Sequence, residues 1–291
     1  MDRLIRCLAY GGKVSVTLIS SSELVEKARV IHDLTPTTTA VLGRILSVGE
    51  LIGAGLKNDK ESFTIQVKGD GPIGDCVCVV NYGLKIKGYV QNPLVELPLK
   101  ENGKIDVGGA VGRNGFINVI KDMGMKEPYV GVTPIVTGEI TEDFVRFFAE
   151  SEQQPSVVSL GVLVDKNGVK ASGGYLVTLM PDADEGVISR LEENLKNVPS
   201  ISTMLEKSAS LEEIAEIVTG DSNIFVLESD DVPEFVCDCN RERFERGLIS
   251  LGKVELENIL KTDNKVETVC SFCERKHVFK RDDLKKLIDG M

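Results

Sequence analysis

The chain has 291 residues, 42% of them hydrophobic and 27% charged, with seven cysteines and a formal net charge of −11. That length suggests two or three domains around a well-buried core, and the missing basic excess excludes nucleic acid as a main partner, because phosphate neutralisation needs one. No apolar leader opens the chain and no stretch of about twenty residues is free of charge, which predicts a cytoplasmic protein with no membrane partner.

Residues 1–180 predict an α+β core domain of mixed sheet and helix. Val14–Ile19 and Phe63–Lys68 alternate as half-buried strands do. Thr38–Ile52 has the spacing of a helix. Gly69-Asp70-Gly71-Pro72, Asn102-Gly103 and Asn167-Gly168 mark turns, the last two as hairpins.

Residues 181–231 predict a helical linker that carries nearly all the excess charge, with 13 acidic against 3 basic side chains. Ile188, Leu191, Leu195 and Val198 form one apolar stripe; Leu211, Ile214, Ala215 and Val218 form another. A capping box from Ser210 to Glu213 opens the second helix and Gly220 closes it. Like charge crowds the polar faces and works against compact packing. The stripes therefore read either as an ordinary amphipathic pair or as a metastable element whose Leu191, Leu195, Leu211 and Ile214 are held down by a neighbour.

Residues 232–291 are charge-neutral, with 12 acids and 12 bases, and predict a small domain. Leu248–Leu260 reads as one helix, Val266–Val269 as a strand after a turn at Asp263-Asn264-Lys265, and Asp282–Ile288 as a short helix. Cys237-Asp-Cys239 and Cys270-Ser-Phe-Cys273 form two half-sites separated by thirty residues. Four thiolates close a tetrahedral structural zinc site and leave no open position for substrate or catalytic water. One zinc per chain is the expected cofactor, supplying on the order of 10 kcal/mol or more to a unit with so thin a core. Close-spaced cysteines can also form a disulfide, and the small C-x-C ring is strained enough to be readily reduced again. The same sulfurs can thus hold metal or store oxidation.

Other candidates carry less. Cys76 and Cys78 lie in an apolar strand-like run without a second pair, and they and Cys7 read as buried structural thiols. His277, four residues after Cys273, could replace one sulfur in a three-cysteine site. His32 is isolated, which leaves no cysteine–histidine nucleophile pair. The glycine-rich run Gly108–Gly115 lacks the ending of a P-loop and the spacing of a dinucleotide fingerprint, and reads as turn or hairpin glycines. No catalytic constellation emerges.

Three core segments add a likeness: Lys121-Asp-Met-Gly-Met-Lys-Glu-Pro-Tyr-Val-Gly131, Thr137-Gly-Glu-Ile-Thr-Glu-Asp143 and Ser151-Glu-Gln-Gln-Pro-Ser156. With the cysteine half-sites and Gly247-Leu-Ile-Ser-Leu-Gly252 between them, the whole chain resembles the redox-regulated bacterial heat-shock chaperones of about thirty-three kilodaltons, ATP-independent holdases. The His277 position is more often aromatic in that family. The resemblance implies zinc on Cys237, Cys239, Cys270 and Cys273 in a reduced, inactive state. It implies that oxidation forms Cys237–Cys239 and Cys270–Cys273, ejects zinc, and unfolds the C-terminal domain and linker. Unfolding client proteins would be the partners and a homodimer the active form. Two other classes stay open: a thiol–disulfide oxidoreductase, which needs a thioredoxin-like context around Cys270, and a zinc-ribbon adapter.

Overall fold

The computed structural model describes residues 2–227, 232–263 and 265–291. They divide into two compact units, Met1–Val236 and Cys237–Met291. The first unit begins β1 (Arg3–Ala9), β2 (Val14–Ser20), α1 (Ser22–His32), α2 (Pro36–Gly53), β3 (Ser62–Lys68), β4 (Cys76–Asn81), β5 (Lys85–Val90) and α3 (Val107–Val111). It continues with β6 (Phe116–Asp122), β7 (Tyr129–Pro134), α4 (Thr141–Glu150), β8 (Ser156–Asp165) and β9 (Gly168–Leu179). Then follow α5 (Glu185–Leu195), α6 (Ile201–Glu206), α7 (Leu211–Thr219), β10 (Phe225–Leu227) and β11 (Glu234–Phe235). The second unit holds α8 (Arg241–Ser250), α9 (Lys253–Thr262), β12 (Lys265–Val269), β13 (Lys276–Lys280) and α10 (Arg281–Asp289). The architecture is α+β, as the alternation and helical stripes require.

Two sheets build the first unit, in the orders β10-β1-β2-β9-β8 and β11-β5-β4-β3-β6-β7. Between them runs α2, against β8 and β9 on one side and β4 and β5 on the other. Thr35 caps this helix by accepting the Thr38 N–H, and Pro36 sits at its first turn, where no backbone donor is needed. Leu42, Ile45, Leu46 and Val48 are all fully buried, which is how a helix apolar on several sides must lie.

The first sheet is covered on both faces. Leu4 and Ile19 point into the core around α2, while Ile5, Cys7, Val14, Val16, Leu18 and Tyr175 meet Leu191, Met204, Leu211 and Ile214 of α5–α7. The helices of the acidic segment are therefore an outer layer on this sheet. Phe225–Leu227, expected within a helical linker, instead pair with β1 as the sheet's edge strand, and residues 228–231 lie outside the described residues. The capping box is formed, with Ser210 and Glu213 exchanging backbone–side-chain hydrogen bonds, and Gly220 ends α7 at φ +68°. Arg3 pairs with Glu212 and Lys13 with Asp184, tying two of the acids to the sheet.

Three local expectations need correction. Asn102-Gly103 closes a turn between Lys100 and Lys104, but no strands flank it, and Pro98 removes a ladder donor nearby. Gly108 and Gly109 lie inside α3, whose first turn Asp106 caps. The helix expected over Leu248–Leu260 is two helices, because Gly252 adopts φ +87° between α8 and α9.

Glu50 of α2 is 0% exposed, and neither carboxyl oxygen has a hydrogen-bond partner among the described residues. Burial, reinforced by the Asp2 carboxyl, pushes its pKa well above the usual carboxylate range. The fold therefore holds a proton that the unfolded chain releases near about pH 4.3. Stability is full below that value and is lost as pH rises toward the folded pKa. Glu50→Gln is expected to flatten this slope: the parent loses about 1.4 kcal/mol, roughly 3–6 °C in Tm for a domain this large, for each pH unit between about 4.3 and the folded pKa, and the variant does not. Calorimetry of the first unit's transition checks it, and parallel slopes for parent and variant would contradict the assignment.

Candidate metal centre

The second unit places its two half-sites on different local frames. Cys237 and Cys239 precede α8, which Asn240 caps by accepting the Arg243 N–H. Cys270 and Cys273 lie in the knuckle between the antiparallel strands β12 and β13, whose last facing pair is Val269 and Lys276. Cys270 N–H donates to Arg275 O, and the N–H groups of Cys273 and Glu274 both donate to Cys270 O. The chain reverses at Glu274 with φ +55°.

These frames bring the four sulfurs within 4.8 Å of one another. Cys237 Sγ is 3.7 Å from Cys270 Sγ, and Cys239 Sγ is 3.4 Å from Cys273 Sγ. A tetrahedron with metal–sulfur bonds of about 2.3 Å has edges of about 3.8 Å, so the cage has the size one such ion needs. Charge argues the same way. Burial, then the neighbouring thiols, push the Cys239 pKa up, and burial raises Cys237. Cys273 goes the other way: burial opposes its ionisation, but the Arg275 N–H and the three neighbouring thiols outweigh it. One thiolate is therefore tolerated, and four require a cation among them.

The surroundings support the cage. Arg241 lies 4.2 Å above the Phe279 ring, pairs with Asp283 at 2.8 Å and Glu245 at 3.2 Å, and donates to Val278 O. It fastens α8 to β13 and α10, a role that no spacing in the sequence signals. The unit's buried core is five residues, Leu248, Leu256, Phe279, Leu284 and Ile288. His277 stacks on Phe244 at 4.5 Å, with Nε2 4.0 Å from Cys239 Sγ. It borders the cage as an aromatic ring would and lies outside the four-sulfur group.

The remaining candidates are dispersed. Cys7, Cys76 and Cys78 are buried in the first unit; burial first pushes Cys7 up to about 11 and Cys76 up to about 12, and raises Cys78 further. They are poor nucleophiles. His32 is buried, with Nε2 3.0 Å from Gly88 O. Leu191, Leu211 and Ile214 are buried and Leu195 partly buried against the first sheet.

Comparison with known proteins gives this arrangement its context. The family model described as Hsp33 protein matches residues 2–280. The chain belongs to the Hsp33 family. The 33 kDa chaperonin of Thermoanaerobacter sp. (strain X514) is 45% identical over 288 residues, spanning 99% of this chain and 98% of that protein. That of Clostridium beijerinckii is 42% identical over 290 residues, 99% of each. The crystal structure of the 33 kDa chaperonin from Thermotoga maritima superposes with a TM-score of 0.89 at 38% identity, covering 99% of this chain and 98% of that one. The family's named members are thus chaperonins and not enzymes. Among the described residues, no helix is long and apolar enough to cross a membrane.

Metal loaded under reducing conditions is expected to show four sulfur scatterers at about 2.3 Å and no nitrogen. His277→Phe should keep both stoichiometry and coordination. X-ray absorption spectroscopy decides the matter, and a nitrogen ligand lost in His277→Phe would overturn the four-sulfur cage.

Proposed function

We propose that this Hsp33-family chain is an ATP-independent holdase chaperone switched by oxidation at Cys237, Cys239, Cys270 and Cys273. The observation that carries the reading is the cage itself: four sulfurs within 4.8 Å, in a unit with five buried core residues. Reduced, the cage holds one zinc ion, which supplies much of the unit's folding free energy. Peroxide takes two electrons from each cysteine pair, forming Cys237–Cys239 and Cys270–Cys273. Disulfide sulfur is a poor zinc ligand, so the metal leaves and residues 232–291 unfold.

The linker, residues 181–231, responds next. Its helices bury Leu191, Leu211 and Ile214 but expose most of their acids, so they hold to the sheet with little margin. Their release frees Leu191, Leu195, Leu211 and Ile214, and the sheet beneath, to hold apolar segments of unfolding clients. Residues 1–180 carry the remaining client-binding surface and the contacts of an active homodimer. The setting is the cytoplasm under oxidative stress, with no role for nucleic acid or membrane.

Peroxide-treated protein is expected to show the two within-pair disulfides with Cys7, Cys76 and Cys78 free, to lose its zinc, and to suppress client aggregation without ATP. Linker amides should exchange faster than in the reduced form. Peptide mapping, metal analysis, light scattering and hydrogen exchange on one sample test this; a dominant Cys76–Cys78 bond, or equally protected linker amides, would refute the respective step. A C-x-x-C oxidoreductase would instead turn over a disulfide substrate.

A further inference from the structure

β11 is a short element for the place it holds. It comprises only Glu234 and Phe235, aligned parallel to Lys85 and Ile86 at the open side of β5. Glu234 N–H donates to Leu84 O at 3.0 Å and Val236 N–H donates to Ile86 O at 2.8 Å. Glu234 is exposed, with a long ion pair to Lys27. Phe235 does the opposite: it is 3% exposed and joins the main core around α2. Its ring meets His32 edge-on at 6.3 Å, and His32 in turn lies against Gly88 O of β5. α1 packs beside both strands. Main-chain pairing at a sheet edge, plus one side chain sunk in a pocket, is the pattern by which extended peptides add to sheets.

The residue after Val236 is Cys237, the first sulfur of the cage. A strand with so few backbone bonds is anchored from one side by Phe235 and from the other by whatever holds Cys237. We infer that β11 is a built-in occupant of a client-docking site, and that the edge of β5 with the Phe235 pocket receives an extended, aromatic-bearing segment of an unfolding client once Cys237 lets go. This rests on the proposed redox switch. Release of β11 leaves the carbonyls of Leu84 and Ile86 without these donors and the apolar seat open, an unprotected edge that any extended chain with a suitably placed ring satisfies. The site takes main chain and one ring, so it accepts many sequences and rejects folded ones, whose strands are already paired.

Site-specific photo-cross-linking in the full chain tests the inference. Lys85 faces Glu234 and is exposed; a benzoylphenylalanine in its place reports what lies on the β5 edge, and one at exposed Lys166 in the β8–β9 turn serves as control. The probe is reduced, carboxymethylated α-lactalbumin, which stays unfolded. Reduced, zinc-loaded chain should cross-link position 85 to its own residues 232–236. After peroxide, adducts with the probe at position 85 should exceed those at 166 several-fold. Val236→Pro removes the donor to Ile86 O and should yield the position-85 adduct in reduced, zinc-loaded chain. Equal yields at the two positions while the oxidised chain holds the probe would overturn the inference and leave the chaperone reading standing. Adducts at position 85 to a second copy's residues 232–236 would overturn it too, making this edge a contact between copies. If peroxide leaves the zinc bound, the redox reading fails, and the Val236→Pro adduct or its absence still decides the β5 site.

Discussion

Four sulfur atoms crowded within 4.8 Å are the constraint on which the second unit and the proposed function depend. Unionised they are a weakly cohesive cluster, and ionised they repel unless a divalent cation sits among them. Around them the described residues supply a small core of five buried side chains with five partly buried ones against it, a stack of His277 on Phe244, and the hub of Arg241. A domain of this size folds when a metal closes it and is marginal when none does. The same sulfurs are oxidisable, so in the proposed function the bond that folds the unit is also the bond that a peroxide removes.

In the proposed function the first unit answers such an event. It has two separate cores, one around α2 between the sheets and one between the first sheet and α5–α7. The first core is supported by both sheets. The second depends on a helical layer most of whose acids face water, tied by ion pairs of Arg3 and Lys13 and by hydrogen bonds from Tyr10 to Asp221 and Thr219. Loss of that layer opens one face of the sheet without emptying the other core. Unequal stability of the two cores is what the proposed switch requires.

Much of this was legible in the residues, for reasons that differ by element. The half-sites were plain because metal ligation demands fixed sulfur number and spacing. α7 was plain because Ser210, Glu213 and Gly220 mark its ends locally. α6 was not, because Ile201, Ser202 and Leu205 sit against Gly161 and Gly173, which face each other on β8 and β9 and leave no Cβ in the way. β11 was invisible for the same reason: two residues carry no period, and the burial of Phe235 comes from His32 and the α2 core, far off in sequence. The break at Gly252 was a missed local signal, a glycine suited to positive φ between two helices. Arg241 acquires its role only through β13 and α10, and Phe244 through β13.

The most direct measurement removes the metal and nothing else. Reduced, zinc-loaded protein is treated anaerobically with a chelator, and amide exchange is followed at Leu256, Phe279 and Leu284 against β3 and β4. The account predicts that the second unit's amides lose protection while those of β3 and β4 keep theirs. A second unit that stays protected when metal-free and reduced would contradict it, since the four-sulfur cage would then not be what holds that unit folded.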